Sequence, residues 1–356
     1  MMGITIYVSI SILIFLAYFI SNEDKNNIKK YLIVMAVLFV FTAFRSIEIG
    51  GTDAQEYISF FKSVPNIFGV FTANYKYEFG YGVLNSLIKT FTDDYRVFQV
   101  FYTSISFFLL NLVLKKTSLN YKNRILFLFL YFSYTFLWNN FILLRQNIAL
   151  LIVWYALLRD DKSIITSILL FLLAFLFHSS ALIVFLIYMM YLCLRRIKNN
   201  SRLFVFSIIF SLIMIFFSQY FLYRIVSFID VMIDTDYARY LITAEKNNVF
   251  NFIFRIVTYV IVYVYYSSIN YGKKNNVFIF MSITVMLSSL PFGIINRISE
   301  YFLIGIYLGI VQFIKSVKER ERIGVLVPVY LLMTVILIRF LIVFSEGQLQ
   351  QYRLFF

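Results

Sequence analysis

Long apolar runs alternate with short polar breaks, and most runs approach the ~20 residues a helix needs to cross a bilayer. They predict helices over residues 4–20, 31–44, 97–114, 125–140, 143–158, 163–177, 180–194, 203–222, 252–269, 277–291, 300–314 and 323–344. Two polar stretches, 45–96 and 223–251, are far longer than the rest. In the first, Thr52 followed by Gln55 reads as a capping box, with a helix starting at Asp53. Further on, Val83, Leu84, Leu87, Ile88 and Phe91 share one helical face. That face predicts an amphipathic segment lying on the membrane or dipping into it. The expected fold is an all-α polytopic membrane protein: one integral domain over 1–356, about twelve transmembrane helices, and short re-entrant or interfacial helices in the outer loops.

The stretch 163–194 decides the topology. As one helix it reverses the sidedness of everything after it; as two short helices turning at His178-Ser179-Ser180, every later basic cluster falls on one side. Six such clusters lie between the runs: Lys25/Lys29/Lys30, Lys115/Lys116/Lys122/Arg124, Arg159/Lys162, Arg195/Arg196/Lys198/Arg202, Lys273/Lys274 and Lys315/Lys318/Arg320/Arg322. Short basic loops stay in the cytoplasm, so both termini and both long polar stretches are expected on the extracytoplasmic side. The broken hairpin is therefore the preferred reading.

Composition narrows the function classes. With 61% hydrophobic and 14% charged residues, the chain is not a soluble globule. Its net charge of +14 suggests nucleic acid at first sight. The six clusters hold 19 basic residues against six acids there, a surplus of +13, so topology accounts for the charge and no nucleic-acid partner is implied. The single cysteine, Cys193, allows no internal disulfide, and nothing points to a metal or another cofactor. The run Ile4–Ile20 lacks a basic leader and a small-residue cleavage site, so it reads as a retained span.

The ionisable residues left over gather near the outer ends of the runs. Arg145-Gln146-Asn147 lies just inside the outer end of the fifth run. A guanidinium there either snorkels, pairs with an acid such as Asp53 or Glu78, or grips a lipid-linked pyrophosphate with its planar fork. His178, the only histidine, is a proton acceptor or phosphate donor at the outward turn, or a turn residue bonding nearby backbone. Asp53, Glu56 and Glu78 are candidate bases, although an acid in a first helical turn also serves the macrodipole. Arg297 grips phosphate or pairs locally with Glu300. Arg45, Arg255 and Arg339 also stand at outer ends, where single arginines snorkel. Asp230/Asp234/Asp236 lacks the glycine and distal glutamate of a calcium loop and reads as a solvated acidic stretch.

The order of these features resembles the EpsG family of Wzy-like polymerases. The likeness rests on Arg45 with Gly51-Thr52-Asp53 and Tyr57; on Glu78-Phe79-Gly80-Tyr81 with Leu84-Asn85; on Leu144-Arg145-Gln146-Asn147-Ile148-Ala149; on Phe177-His178-Ser179-Ser180-Ala181; and on Arg297-Ile298-Ser299-Glu300-Tyr301-Phe302. Phe79 stands where the family usually has proline. The resemblance implies a multi-span glycosyltransferase, distantly GT-C-like, in the bacterial cytoplasmic membrane. It would polymerise undecaprenyl-pyrophosphate-linked repeat units, with a chain-length regulator or flippase of the same pathway as a candidate partner. On that reading Arg145, Gln146, Arg297 and Arg45 bind substrate, His178, Asp53 or Glu78 accepts the proton, and Tyr57 and Tyr81 stack on sugars. An O-antigen ligase and a lipid-linked glycan flippase remain the rival readings.

Overall fold

A computed structural model of the chain describes residues 2–22, 27–71, 75–159, 163–194, 295–343 and 349–354, with isolated positions between 205 and 284. Described residues are almost all helical; their only extended pairing is one bridge between Arg45 and Leu354. The helices are α1 (Met2–Phe19), α2 (Ile28–Ala43), α3 (Ala54–Ser63), α4 (Phe79–Lys89), α5 (Tyr95–Lys116), α6 (Tyr121–Tyr131), α7 (Leu144–Leu158), α8 (Ile164–Phe177), α9 (Ser180–Leu194), α10 (Ile295–Glu300), α11 (Leu303–Ser316) and α12 (Glu319–Val343). The expected spans 203–222, 252–269 and 277–291, and the loop 223–251 with its three aspartates, lie outside the described residues. Two compact units emerge, one formed by 1–182 and 317–356, the other by 183–316.

Among the described helices, α5 (22 residues) and α12 (25 residues) are long and apolar enough to cross a bilayer alone. The apolar stretches of α1, α7, α8, α9 and α11 are shorter, as the sequence already implies for the pair around His178. The chain does break there: α8 ends at Phe177, His178 is extended (φ −157, ψ 123), and α9 starts at Ser180.

Local signals explain the starts. Asp94 caps α5 by accepting the Arg96 N–H, Asn120 caps α6 through Asn123 N–H, and Ser163 caps α8 through Thr166 N–H. The start of α3 departs from expectation. Gly51 has φ 69, and a single tight turn over Gly51–Asp53 precedes the helix, which begins at Ala54 rather than Asp53. Asp53 becomes the N-cap residue without forming a capping bond. Gly51 is required by its left-handed backbone.

The first unit has two chemically different ends. At one, Gln99 of α5 donates to the carbonyls of Ala43 and Arg45, and Tyr102 donates to Leu144 O at the start of α7. The same end holds the C-terminal segment: Tyr352 donates to Phe41 O and stacks on its ring, while Tyr7 of α1 donates to Leu349 O. At the other end Lys116 lies over Tyr155, Lys122 over Tyr18, and Arg124 over Tyr121. Basic residues thus collect at the far ends of α1, α5 and α7, away from the 45–96 segment and both termini.

The run read as 125–140 is α6 followed by two wide π turns, Phe132–Phe136 and Trp138–Ile142, ending at Leu143 (φ −95, ψ 55). Asn140 drives this widening: its Nδ2 donates to Phe136 O and to the Tyr131 hydroxyl, competing with the helical ladder. Asn147 on α7 ties the region together, donating to Tyr102, Ser106 and Asn140 at 2.8–3.1 Å. That buried network fixes the break immediately before Arg145.

The amphipathic segment is α4, and its face divides. Leu84 and Ile88 are buried with Tyr81 and Asn85, packed toward α8, α5 and α3, while Leu87 and Phe91 stay exposed. Much of the predicted membrane-facing surface is instead protein core. Gly80 is the reason the helix can approach: a Cβ there would lie 2.7 Å from Leu176 O of α8.

Candidate functional site

Glu78 is the N-cap residue of α4, Arg145 the second residue of α7, and Ser179 the residue just before α9. The structure brings all three together. Arg145 Nη1 donates to Glu78 Oε2, and Glu78 Oε1 accepts from the Ser179 N–H at 3.1 Å and from its hydroxyl at 3.4 Å. The paired side chains are largely buried, 21% exposed for Arg145 and 17% for Glu78. Three helix N-termini therefore converge on one carboxylate, and each adds partial positive charge. Arg145 itself stands at the wrong end of a helix for a cation.

Around the guanidinium, Tyr77 offers its ring face 4.1 Å away and Tyr57 accepts a hydrogen bond. The Arg145 Nε is buried with no acceptor among the described residues. The Tyr77 hydroxyl donates to Glu56 at 2.9 Å, and Lys76 donates to the same oxygen at 3.0 Å. Hydrogen bonds from Lys76 and Tyr77 hold the Glu56 carboxyl below the usual range. Burial pushes the Glu78 carboxyl up, but His178 and Arg145 outweigh it, so the net shift is downward. Glu78 is thus an anion held by surrounding positive charge.

His178 is buried, and its Nδ1 accepts the Ser180 N–H at 3.2 Å and faces the Ser180 hydroxyl at 2.7 Å. With Nδ1 serving as acceptor, the neutral ring carries its proton on Nε2. Asp53, half-buried, acts electrostatically on Tyr57, which in turn touches Tyr81 ring to ring at 5.8 Å. Both tyrosines are enclosed: Tyr81 is walled by Phe60, Tyr77 and Phe98, and burial raises both hydroxyls. Their surroundings are those of a rigid wall behind Arg145 rather than an open sugar shelf.

Three other candidates have surroundings of their own. Arg45 is buried, donates to the carbonyls of Thr42 and Ile49, and lies 4.4 Å over Phe141. It thereby closes the C-terminal end of α2. Gln146 is buried on α7. Arg297 belongs to the second unit, exposed on α10, while Glu300 is buried. Tyr77 and Glu56, by contrast, surround the guanidinium and were weak or absent as sequence candidates. An aromatic residue directly preceding the acid was the available signal.

Glu78, Arg145 and Ser179 come from three of the five motif stretches that carry the family likeness. The model of the EpsG family matches residues 31–354. The chain belongs to the EpsG family. This is a family of Wzy-like polysaccharide polymerases. The match runs from α2 to the bridge at Leu354 and takes in the whole Glu78–Arg145–Ser179 cluster. No curated protein and no solved structure matches the chain.

Proposed function

We propose that this EpsG-family protein polymerises undecaprenyl-pyrophosphate-linked repeat units by glycosyl transfer on the extracytoplasmic side of the bacterial cytoplasmic membrane. About twelve spans in a GT-C-like arrangement are part of that reading, as is a substrate-facing cavity opening away from the cytosol. One observation carries it: a guanidinium and three helix N-termini meet at a single carboxylate, that of Glu78. Such a place suits an anion of higher charge than one carboxylate.

On this reading pyrophosphate displaces Glu78 from Arg145. The acceptor hydroxyl oxygen bonds to the anomeric carbon, the bond from that carbon to pyrophosphate oxygen breaks, and undecaprenyl pyrophosphate leaves with the electron pair. Arg145 stabilises the charge developing on the leaving group. Glu78, freed from its cation, holds a proton more tightly and accepts the one the hydroxyl loses; His178 is the alternative acceptor only once its Nδ1 releases Ser180. Arg297 is a second candidate phosphate ligand, Gln146 supports Arg145 within α7, and Asp53 stays an alternative base. A flippase or chain-length regulator of the same pathway is the expected partner.

Purified protein in lipid vesicles, given lipid-linked repeat units, is expected to build a ladder of longer glycans, and Arg145→Ala to abolish it while the protein keeps its elution profile. A full ladder from Arg145→Ala refutes the reading.

A further inference from the structure

If Glu78 yields its place to phosphate, Arg145 loses the partner that now fixes it. Something else must keep a long, flexible side chain in position during the exchange. Tyr77 meets that need in three ways. The guanidinium carbon lies 4.1 Å over its ring, a contact that takes up none of the N–H donors an anion would need. The ring is itself wedged, 4.7 Å from Phe60 and 5.9 Å from Tyr57. Its hydroxyl is tied at 2.9 Å to Glu56, which Lys76 holds in turn.

We infer that Tyr77 is the positioning residue of Arg145, a tethered aromatic floor that keeps the guanidinium presented while its carboxylate partner is exchanged for a pyrophosphate group. The inference rests on the polymerase reading for its substrate, but the contact between ring and guanidinium stands apart from it. Tyr77 acts through Arg145 and touches no reacting atom. The ring is the part that matters; the tether only stops it from turning.

The test uses the full chain in lipid vesicles with lipid-linked repeat units, comparing Tyr77→Leu, Tyr77→Phe and Tyr77→Trp. Tyr77→Leu should raise KM for the donor on the order of tenfold, the size expected for one partly desolvated cation–π contact, with kcat within about threefold. Tyr77→Phe and Tyr77→Trp keep a ring and should restore KM to within about threefold. Loss through misfolding would lower kcat and the thermal midpoint together, and aromatic replacements of unequal size would not rescue it. A Tyr77→Leu protein with wild-type KM overturns the inference, as does Tyr77→Phe failing as badly as Tyr77→Leu. Binding of inorganic pyrophosphate, measured by calorimetry, separates this from the function. If wild type makes no ladder yet binds pyrophosphate, and Tyr77→Leu weakens that binding on the order of tenfold, the polymerase reading fails and the positioning role survives. Equal pyrophosphate binding by wild type and Tyr77→Leu removes the positioning role, whatever the glycan products show.

Discussion

Glu78 and Arg145, 67 residues apart in sequence, meet as an ion pair in which each group sits at the N-terminus of a helix. The two ends are not equivalent. The macrodipole of α4 favours the Glu78 carboxylate, whereas that of α7 opposes the Arg145 cation. Arg145 therefore depends on its partner more than Glu78 does, and this asymmetry governs what substitutions do.

Glu78→Gln leaves a mostly buried guanidinium at the positive end of a helix, so it should cost more stability than the exposed pair Lys76–Glu56. A double-mutant cycle with Glu78→Gln and Arg145→Gln, read by denaturation in detergent, should give a coupling of about 1–3 kcal/mol. The same cycle on Lys76 and Glu56, exposed by 65% and 56%, should stay below about 1 kcal/mol. Equal couplings would contradict the burial seen at Glu78.

The pH dependence follows from the direction of the Glu78 shift. Burial raises this carboxyl, His178 and Arg145 lower it further, and the folded value lies below that of the unfolded chain, about 4.3. A depressed carboxyl stabilises fully above the unfolded value and loses that contribution as pH falls through the folded one. The thermal midpoint of wild type minus that of Glu78→Gln should shrink as pH falls below about 4. Glu56 titrates in both proteins and cancels. A difference that shrinks near neutrality would assign the effect to another group.

Gly80 links the fold to the site. In an ordinary helix Gly→Ala is stabilising, by roughly 0.5–1 kcal/mol. Here the new Cβ would press on the Leu176 carbonyl, a backbone atom of α8 that cannot turn away. The helix must move off α8, taking Glu78 away from Ser179. Gly80→Ala should therefore destabilise by about 1–3 kcal/mol and slow glycan elongation at least tenfold. A stabilised, fully active Gly80→Ala protein would show that α4 does not need its close seat.

Helices were readable where apolar length and a turn signal agreed: the ends of α5, α7 and α8 fall within about two residues of the apolar runs. The break at His178 was readable because sidedness forbade the alternative. Three features were hidden. The π turns after α6 come from Asn140 competing for backbone carbonyls inside an apolar run that looks plainly helical. The split face of α4 follows from Gly80 allowing a tight seat on α8, which periodicity does not encode. In the site, Arg145 was visible as a charge out of place, and its acid partner was narrowed to Asp53 or Glu78. The choice of Glu78, the Tyr77 floor and the capping task of Arg45 all need contacts between distant segments.

Sidedness is the remaining link between this geometry and the proposed chemistry. The Glu78–Arg145 pair, the start of α5 and residues 349–354 share one end of the first unit, and Lys115 and Lys116 close α5 at the other. With Cys193 replaced by serine, single cysteines at Thr92 and Ser118 place one thiol near each end of α5. A membrane-impermeant maleimide applied to intact bacterial spheroplasts should label Thr92→Cys at once and Ser118→Cys only after permeabilisation, because the basic end is retained in the cytoplasm. The reverse order would put Arg145 on the cytosolic face, where a glycan polymerised outside the cell cannot reach it.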